Sequence, residues 1–363
     1  MIKVIHYLRH LTLGGTEKTC QLFVGGLDPQ RFEVHVAYEN DGLRGDLFRQ
    51  IPNVTMHHIT RQGLPTDLET IRSVVDSVGA DILHVYRSGY EEFPEPNVDV
   101  RVPHFVETNV FGQLDHNPAV DASLFMSEWL LKDTKKRLAP ISRGFVRKIM
   151  DFVNNPIEDP YTNDTLKIAD QWHREGAIIL GRCGRPDPGI YHAINVKAAH
   201  LLRMQGYDVR FLVVAPPPNM VHDLQEWDIP FYGIEPTVDP VELSKFYNSV
   251  DIYAHARADG ETFGVNIAEA MMHSKPVVTH VAEPSVPGMG VFQSQTTLVD
   301  HGETGFVSPN DVGAYMEALL KLITNRTRML LMGQEGYKKA LREYHVDVCV
   351  NKLERIYEAL CRT

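Results

Sequence analysis

The sequence has few cysteines and no long apolar run. Its 363 residues include only four cysteines, at Cys20, Cys183, Cys349 and Cys361. None of them forms a C-x-x-C pair or a spacing typical of zinc ligands, so neither a disulfide framework nor a structural zinc site is expected. No apolar segment approaches the roughly 20 residues that span a bilayer. The first residues also lack the features of a signal peptide, and the cytoplasm is the expected location.

The chain also has fewer basic than acidic residues. The chain has 36 Lys and Arg against 47 Asp and Glu, which gives a net charge of 36 − 47 = −11. A field of this sign argues against general nucleic-acid binding. Hydrophobic residues make up 43% and charged residues 23%, as in ordinary globular proteins. The length suits two domains of roughly 150 to 200 residues.

The motifs of several enzyme classes are absent. No G-x-G-x-x-G follows the first strand of either half, which counts against a nicotinamide oxidoreductase. The 17 histidines include no H-E-x-x-H, and no D-x-D stands in a metal-binding context. Neither a metal site nor a tightly bound cofactor is therefore expected.

Strand-like runs alternate with helix-spaced segments along the whole chain. In the first half, strands are predicted at Ile2–Leu8, Phe32–Tyr38, Val54–Ile59, Asp81–Tyr86, Val102–Glu107 and Ala122–Met126, with helices from Thr16 to about Leu27 and over Leu68–Val78. In the second half, strands are predicted at Ala177–Leu180, Val209–Ala215, Val250–His255 and Pro276–His280, with helices at Ile194–Gln205, Leu243–Asn248, Phe263–His273, Val312–Thr324 and Val346–Leu360. Pro216-Pro217-Pro218 predicts a break.

This order predicts an α/β fold with two Rossmann-like, doubly wound parallel-sheet domains facing a deep cleft. The polar segment Asn154–Asp164 carries two prolines and is the best candidate linker. We therefore expect a first domain over 1–156 and a second over 157–345. The C-terminal helix in 346–363 is expected to pack back toward the first domain. Ligands of such sheets bind at the carboxyl ends of the strands.

The segment Asp259–Val278 carries the most chemical information. Glu261 follows a predicted strand, and Glu269 stands eight residues later in the helix. The free backbone N–H groups near Phe263–Asn266 form an anion site at a helix N-terminus. Carboxylates would repel a phosphate there, so they are expected to accept hydrogen bonds from hydroxyl groups. A nucleotide-sugar supplies both a phosphate for the anion site and hydroxyl groups for the carboxylates. The alternative is that Glu261 caps the helix region and Glu269 is a solvated helix residue.

This segment also carries a family resemblance. The string E-x-F-G-x-x-x-x-E at Glu261–Glu269, followed by Lys275-Pro276-Val277-Val278, resembles the signature of family-4 retaining glycosyltransferases of the GT-B fold. Further stretches that resemble this family in the same order are Gly14-Gly15-Thr16-Glu17, Asn154-Asn155-Pro156-Ile157-Glu158, Gly181-Arg182, Gly184-Arg185-Pro186-Asp187-Pro188 and Asp300-His301-Gly302-Glu303-Thr304-Gly305-Phe306.

The resemblance implies a retaining, metal-independent transfer of a sugar from an NDP-sugar donor to a hydroxyl acceptor. Glu269 would hold the ribose hydroxyls and Glu261 the donor sugar. Arg182 or Arg185 would neutralise the leaving diphosphate. The backbone groups implied to contact the donor are those of Gly14, Gly15, Phe263, Gly264 and Val265.

Two positions depart from the family pattern. The usual lysine after the Gly-Arg pair is replaced by Ile190 or Asp187, depending on which arginine starts the count. Asn109 stands where a histidine near the donor sugar is usual, and it can form hydrogen bonds but cannot act as an acid or base. A sugar-nucleotide-binding pseudoenzyme and another GT-B enzyme, such as a sugar-nucleotide epimerase, therefore remain alternatives. The donor and the acceptor (a glycan, a lipid-linked molecule or a small molecule) stay open.

One basic run stands out in this acidic chain. It spans Lys132–Lys148 and consists of Lys132, Lys135, Lys136, Arg137, Arg143, Arg147 and Lys148. Such a run is either a solvated face or an anchor for anionic lipid or a lipid-linked pyrophosphate acceptor. The second interpretation predicts peripheral contact with the inner face of a membrane.

Overall fold

The computed structural model describes residues 1–59, 68–87, 99–115, 117–138, 147–284 and 290–362. The chain divides into two compact units. Unit 1 comprises Met1–Pro156 with Val346–Thr363, and unit 2 comprises Ile157–His345. Each unit contains one parallel sheet with helices, which confirms the predicted α/β class.

Unit 1 is built on a seven-stranded sheet. Its strands are β1 (Ile2–His10), β2 (Phe32–Asn40), β3 (Val54–His58), β4 (Ile82–Arg87), β5 (His104–Asn109), β6 (Val120–Phe125) and β7 (Ile149–Phe152). They lie in the order β3-β2-β1-β4-β5-β6-β7, and every neighbouring pair is parallel. The helices of this unit are α1 (Gly15–Gly26), α2 (Gly45–Arg49), α3 (Leu68–Val78), α4 (Glu128–Leu138) and, at the end of the chain, α13 (Val346–Cys361).

Helix α13 completes the core of unit 1. Its apolar face, which includes Leu353 and Tyr357, joins the cluster formed by β1, β2 and α1. Arg31 forms an ion pair with Glu354 at 2.9 Å and a second one with Glu358 at 2.5 Å. The apolar residues of α13 recur at helical spacing and pack into the core of unit 1. The other elements of this unit lie in the first half of the chain.

Unit 2 is built on a six-stranded parallel sheet. Its strands are β8 (Ile178–Cys183), β9 (Val209–Val214), β10 (Phe231–Ile234), β11 (Ile252–Ala254), β12 (Val277–His280) and β13 (Gly305–Ser308), in the order β10-β9-β8-β11-β12-β13. Its helices are α5 (Lys167–Arg174), α6 (Ile194–Met204), α7 (Pro218–Glu226), α8 (Pro240–Ser249), α9 (Val265–Met272), α10 (Gln295–Leu298), α11 (Val312–Ile323) and α12 (Arg326–Glu343). In each sheet the strand order changes direction beside the strand that comes first in the sequence, β1 in unit 1 and β8 in unit 2, as in doubly wound folds.

Several observed elements are absent from the sequence prediction, among them α4, α5, α7, α12, β7, β10 and β13. The expected break at Pro216-Pro217-Pro218 is wrong for Pro218, which begins α7, because proline suits the first turn of a helix. In α12 the buried positions include Gly333 and Gly336, which give no hydrophobic signal. No helix in the described ranges is long and apolar enough to cross a membrane.

Candidate functional site

The candidate site of unit 2 lies where its strand order reverses, between β8 and β11. Strand β8 ends at Cys183, β11 ends at Ala254, and residues 255–264 lead from β11 into α9. Asn266 in the first turn of α9 donates a hydrogen bond from Nδ2 to Cys183 O at 2.7 Å. This bond brings the start of α9 to the carboxyl end of β8, where parallel sheets bind ligands.

Arg182 is a buried cation at this edge of the sheet. It is 4% exposed, and its Nη1 has no hydrogen-bond partner among the described residues. Burial lowers the pKa of its guanidinium from the ordinary value. A buried charge that lacks hydrogen bonds is costly, so a negatively charged group beside Arg182 would be strongly favoured.

The N-terminus of α9 adds positive potential at the same edge. Gly264 precedes the helix with φ of +105°, a conformation that L side chains rarely adopt, and offers no side chain to cap the first turn. The early N–H groups of a helix lack partners within the helix and carry the positive end of its dipole. Arg182 and this helix terminus together can bind an anion.

Glu261 lies in the loop before α9 and is held on three sides. Its Oε1 contacts His255 Nε2 at 3.1 Å, and its Oε2 lies 3.8 Å from Arg257 Nη1. Its backbone N–H donates to Gln295 Oε1 at 2.9 Å. Burial alone would raise the pKa of this carboxyl, but the positive charge of Arg257, the His255 bond and the charge of Arg182 lower it below the ordinary value. Glu261 is therefore an ionised acceptor.

Glu269 lies in the second turn of α9 and is only 8% exposed. Its Oε2 accepts a hydrogen bond from Tyr247 Oη at 2.7 Å. The alternative that Glu269 is a solvated helix residue is therefore wrong. Phe263 is buried and packs edge-on against Tyr344, while Val265, the first residue of α9, is partly exposed.

Arg185 differs from Arg182 in its exposure to solvent. Arg185 is exposed in the loop after β8, where Asp187 accepts a hydrogen bond from Gly189 N–H at 2.8 Å. Ile190, one of the two positions at which the family pattern has a lysine, is buried at 8% exposure. Arg182 is thus the arginine of this segment that lies buried beside Glu261.

In unit 1, the predicted donor-binding residues lie at the carboxyl ends of β1 and β5. Gly14 precedes α1, and a Cβ at this position would collide with the Glu17 carboxylate. Gly15 is the first residue of α1. Asn109 is 1% exposed and uses both of its polar side-chain atoms on the backbone of Gln113, where Nδ2 donates to the carbonyl and Oδ1 accepts from the N–H at 3.0 Å. This pairing closes a loop after β5.

The basic run does not form one exposed face. Lys132 pairs with Glu128 at 2.8 Å, and Lys148 pairs with Asp121 at 2.8 Å. The expectation is wrong for Arg147, whose side chain is 4% exposed. It donates hydrogen bonds to the hydroxyl of Ser123 and to the backbone carbonyls of Asn117 and Asp115, which precede β6. The remaining exposed cations of the run are Lys135, Lys136 and Arg137, while Arg143 lies outside the described residues.

Sequence reasoning missed the residues that hold the two glutamates. His255, Arg257 and Tyr247 belong to no recognised motif. His255 was assigned only to the end of a predicted strand, and a single buried histidine gives no sequence signal of its own.

Part of unit 2 matches a known protein family. Residues 177–325 match the family described as "Glycosyl transferases group 1". The matched residues include Arg182, Glu261 and Glu269.

Two curated relatives match parts of the chain. One is the capsular polysaccharide biosynthesis glycosyltransferase CapM of Staphylococcus aureus, 26% identical over 211 residues, which are 55% of this chain and 51% of that protein. The other is the phosphatidyl-myo-inositol mannosyltransferase of Mycobacterium leprae, 29% identical over 127 residues, which are 34% of this chain and 30% of that protein. The chain thus spans about half, or less, of the length of these relatives.

Solved structures resemble the fold over nearly the whole chain. Anabaena Alr3699/HepE in complex with UDP and glucose has a TM-score of 0.76 at 15% identity, and the match covers 99% of this chain and 100% of that one. WaaG, a glycosyltransferase involved in lipopolysaccharide biosynthesis, has a TM-score of 0.68 at 12% identity and covers 98% and 99%. Together with the two parallel sheets, these matches establish the GT-B fold.

Proposed function

We propose that the protein is a retaining glycosyltransferase that moves a sugar from an NDP-sugar to a hydroxyl acceptor. The observation that supports this most is Arg182, a buried cation beside the N-terminus of α9, whose Nη1 has no hydrogen-bond partner in the described part of the chain. When the glycosidic bond breaks, negative charge grows on the leaving diphosphate. Preorganised cations and N–H groups stabilise that charge in the transition state.

The two glutamates would recognise the groups on either side of the diphosphate. Glu269 is fixed by Tyr247 and would accept hydrogen bonds from the ribose hydroxyls. Glu261 has a lowered pKa, so it is an acceptor that suits the hydroxyls of the donor sugar. Backbone groups of Phe263, Gly264 and Val265 would contact the sugar and the diphosphate.

The reaction is proposed to need neither a divalent metal nor a cofactor, because Arg182 and the α9 N–H groups supply the positive charge. Activity is therefore expected to survive an excess of chelator. Loss of turnover on chelation, with recovery on adding magnesium or manganese, would contradict this assignment.

The acceptor remains open among glycans, lipid-linked molecules and small hydroxyl compounds. The relatives include a capsular polysaccharide enzyme and a phosphatidyl-myo-inositol mannosyltransferase, so both glycan and lipid acceptors are worth testing. UDP-glucose is a reasonable first donor because one structural neighbour was crystallised with it.

Thermal unfolding with a panel of nucleotides and NDP-sugars tests the proposal. A ligand that binds only the folded protein stabilises it by about 2.7 kcal/mol at a hundred times its Kd, which is a readily measured shift. The matched pair Arg182→Gln and Arg185→Gln identifies the arginine that binds the diphosphate. Arg182→Gln is expected to abolish the ligand-induced shift, and Arg185→Gln is expected to keep it.

Transfer assays with the stabilising donor then separate the alternatives. A glycosyltransferase releases the nucleoside diphosphate and glycosylates an acceptor. An epimerase changes the donor sugar without an acceptor, and a pseudoenzyme binds the donor and leaves it intact. If no NDP-sugar stabilises the protein, the proposed donor site is refuted.

A further inference from the structure

His255 is placed to control the orientation of Glu261. It follows β11 and is 4% exposed. Its Nε2 lies 3.1 Å from Glu261 Oε1, and its Nδ1 lies 2.8 Å from Thr279 Oγ1. An ionised carboxylate only accepts hydrogen bonds, so Nε2 must carry a proton. In the neutral ring, Nδ1 then accepts from the Thr279 hydroxyl, and the two bonds together define one tautomer and one ring orientation.

The backbone of His255 is held as firmly as its ring. Its N–H donates to Val278 O at 2.9 Å, and its carbonyl accepts from Tyr315 Oη at 2.9 Å. Thr279 lies on β12 and is fully buried. The ring is therefore anchored to Thr279 on β12, and the backbone of His255 is held by β12 and by Tyr315 of helix α11.

The other carboxylate oxygen has a looser environment. Glu261 Oε2 lies 3.8 Å from Arg257 Nη1, beyond hydrogen-bond distance. Arg257 is itself held by Asp259, through Nε at 2.6 Å and Nη2 at 3.1 Å. Oε1 is thus bonded to the His255 ring, while Oε2 faces a cation that is tied to another carboxylate.

We propose that His255 is a positioning residue that holds Glu261 through Oε1 and directs Oε2 to a hydroxyl of the donor sugar. This inference rests on the proposed function. It assigns a role to a residue outside the glutamate motif, and it assigns Thr279 the task of holding the tautomer.

Two matched pairs of variants test the role by kinetics. His255→Leu removes the donor, and we expect kcat to fall about ten- to hundred-fold with the donor KM changed less than about threefold. His255→Gln keeps an amide N–H near the place of Nε2 and should recover most of the loss. Thr279→Val, which does not touch Glu261, should lower kcat about three- to tenfold, whereas Thr279→Ser should stay near wild type. An unchanged kcat in both His255→Leu and Thr279→Val would overturn the proposal.

Nitrogen-15 NMR of the histidine rings provides a readout that needs no activity. The wild-type protein near neutral pH should show His255 as the Nε2–H tautomer. Glu261→Gln should shift the Nε2 and Hε2 resonances, and Thr279→Val should shift Nδ1. An Nδ1–H tautomer would overturn the inference even if the enzyme transfers sugar. If the wild-type tautomer is as expected but no donor is turned over, the proposed function fails, and the coupling of His255 to Glu261 stands as a structural feature only.

Discussion

The properties of the site residues depend on burial more than on residue type. Arg182 and Arg185 stand three positions apart, yet the first is buried beside Glu261 and the second is exposed. A buried cation acts through a low local dielectric and retains a stronger field than a solvated one. The same burial would neutralise Glu261 if Arg257, His255 and Arg182 did not stabilise its charge.

Removal of the Glu269 carboxylate is expected to weaken nucleotide binding. A lost hydrogen bond to a charged group costs about 1.5–3 kcal/mol, which is about ten- to hundred-fold in affinity. Calorimetric titration of Glu269→Ala with the matching nucleoside diphosphate measures this loss. Glu317→Ala, at an exposed position of α11, is the control and should bind like wild type. Equal affinity in the two variants would exclude Glu269 from the ribose site.

Glu261 is expected to act on the sugar and not on the nucleotide. Glu261→Gln should lower kcat strongly while the Kd for free nucleoside diphosphate stays within about twofold, because the lost interaction strengthens only in the transition state. The first product should keep the anomeric configuration of the donor, which NMR of the anomeric centre determines. An inverted product, or a normal kcat in Glu261→Gln, would show that the role proposed for this loop is wrong.

At the scale of elements, the turn before α9 decides where the anion site forms. Gly260 and Gly264 both have positive φ, at +70° and +105°. A Cβ at Gly260 would collide with the Phe292 carbonyl. These two glycines let the chain turn from β11 into α9 while Glu261 points inward. Helix α12 packs closely against the segment that follows α9, since a Cβ at Gly333 would collide with the Ser274 carbonyl.

Substitution of Gly264 should therefore cost both stability and ligand affinity. Gly264→Ala forces an L side chain to adopt φ of +105°, at a cost of about 1–3 kcal/mol in the free energy of unfolding. Urea unfolding gives this number, and the nucleotide-induced thermal shift reports on the helix terminus. Gly290→Ala is the control, because a Cβ there meets no atom of the described residues within 4 Å. A Gly264→Ala protein as stable as Gly290→Ala would contradict the strain argument.

At the scale of the whole molecule, the end of the chain stabilises its beginning. Tyr357 on α13 shares a hydrogen bond with His84 on β4, and His84 also contacts Thr108 Oγ1 at 2.7 Å. His6 lies against the same rings. Burial lowers the pKa of His6 to about 3, and burial together with the charge of His6 lowers the pKa of His84 well below its ordinary value. Both rings are neutral in the folded protein at neutral pH.

This cluster predicts a loss of stability in acid. An unfolded histidine titrates near pH 6.5, so below that pH the unfolded chain binds more protons than the folded one. The stabilisation is complete above about pH 6.5 and is lost as the pH falls toward the lowered folded pKa. Each such histidine contributes a slope of about 1.4 kcal/mol per pH unit in that window.

Denaturant unfolding at several pH values between about 4.5 and 7 measures this slope. His84→Gln cannot titrate and should have a shallower slope than wild type by about one such contribution. His222→Gln is the control, because the His222 side chain is 73% exposed on α7. Equal slopes in the wild type and His84→Gln would show that His84 does not titrate on unfolding.

The sequence by itself determined the fold class, because runs of β-branched residues and helical spacing are local properties. It also determined the chemical content of the Glu261–Glu269 segment, since turn glycines and two carboxylates at a set spacing can be recognised along the chain. Only the tertiary structure decided which arginine is buried, that Asn109 closes its own loop, and that His255 faces Glu261. These features depend on contacts between strands and helices far apart in sequence, such as His84 with Tyr357 across 273 residues. No local pattern encodes the burial and the partners that such contacts impose.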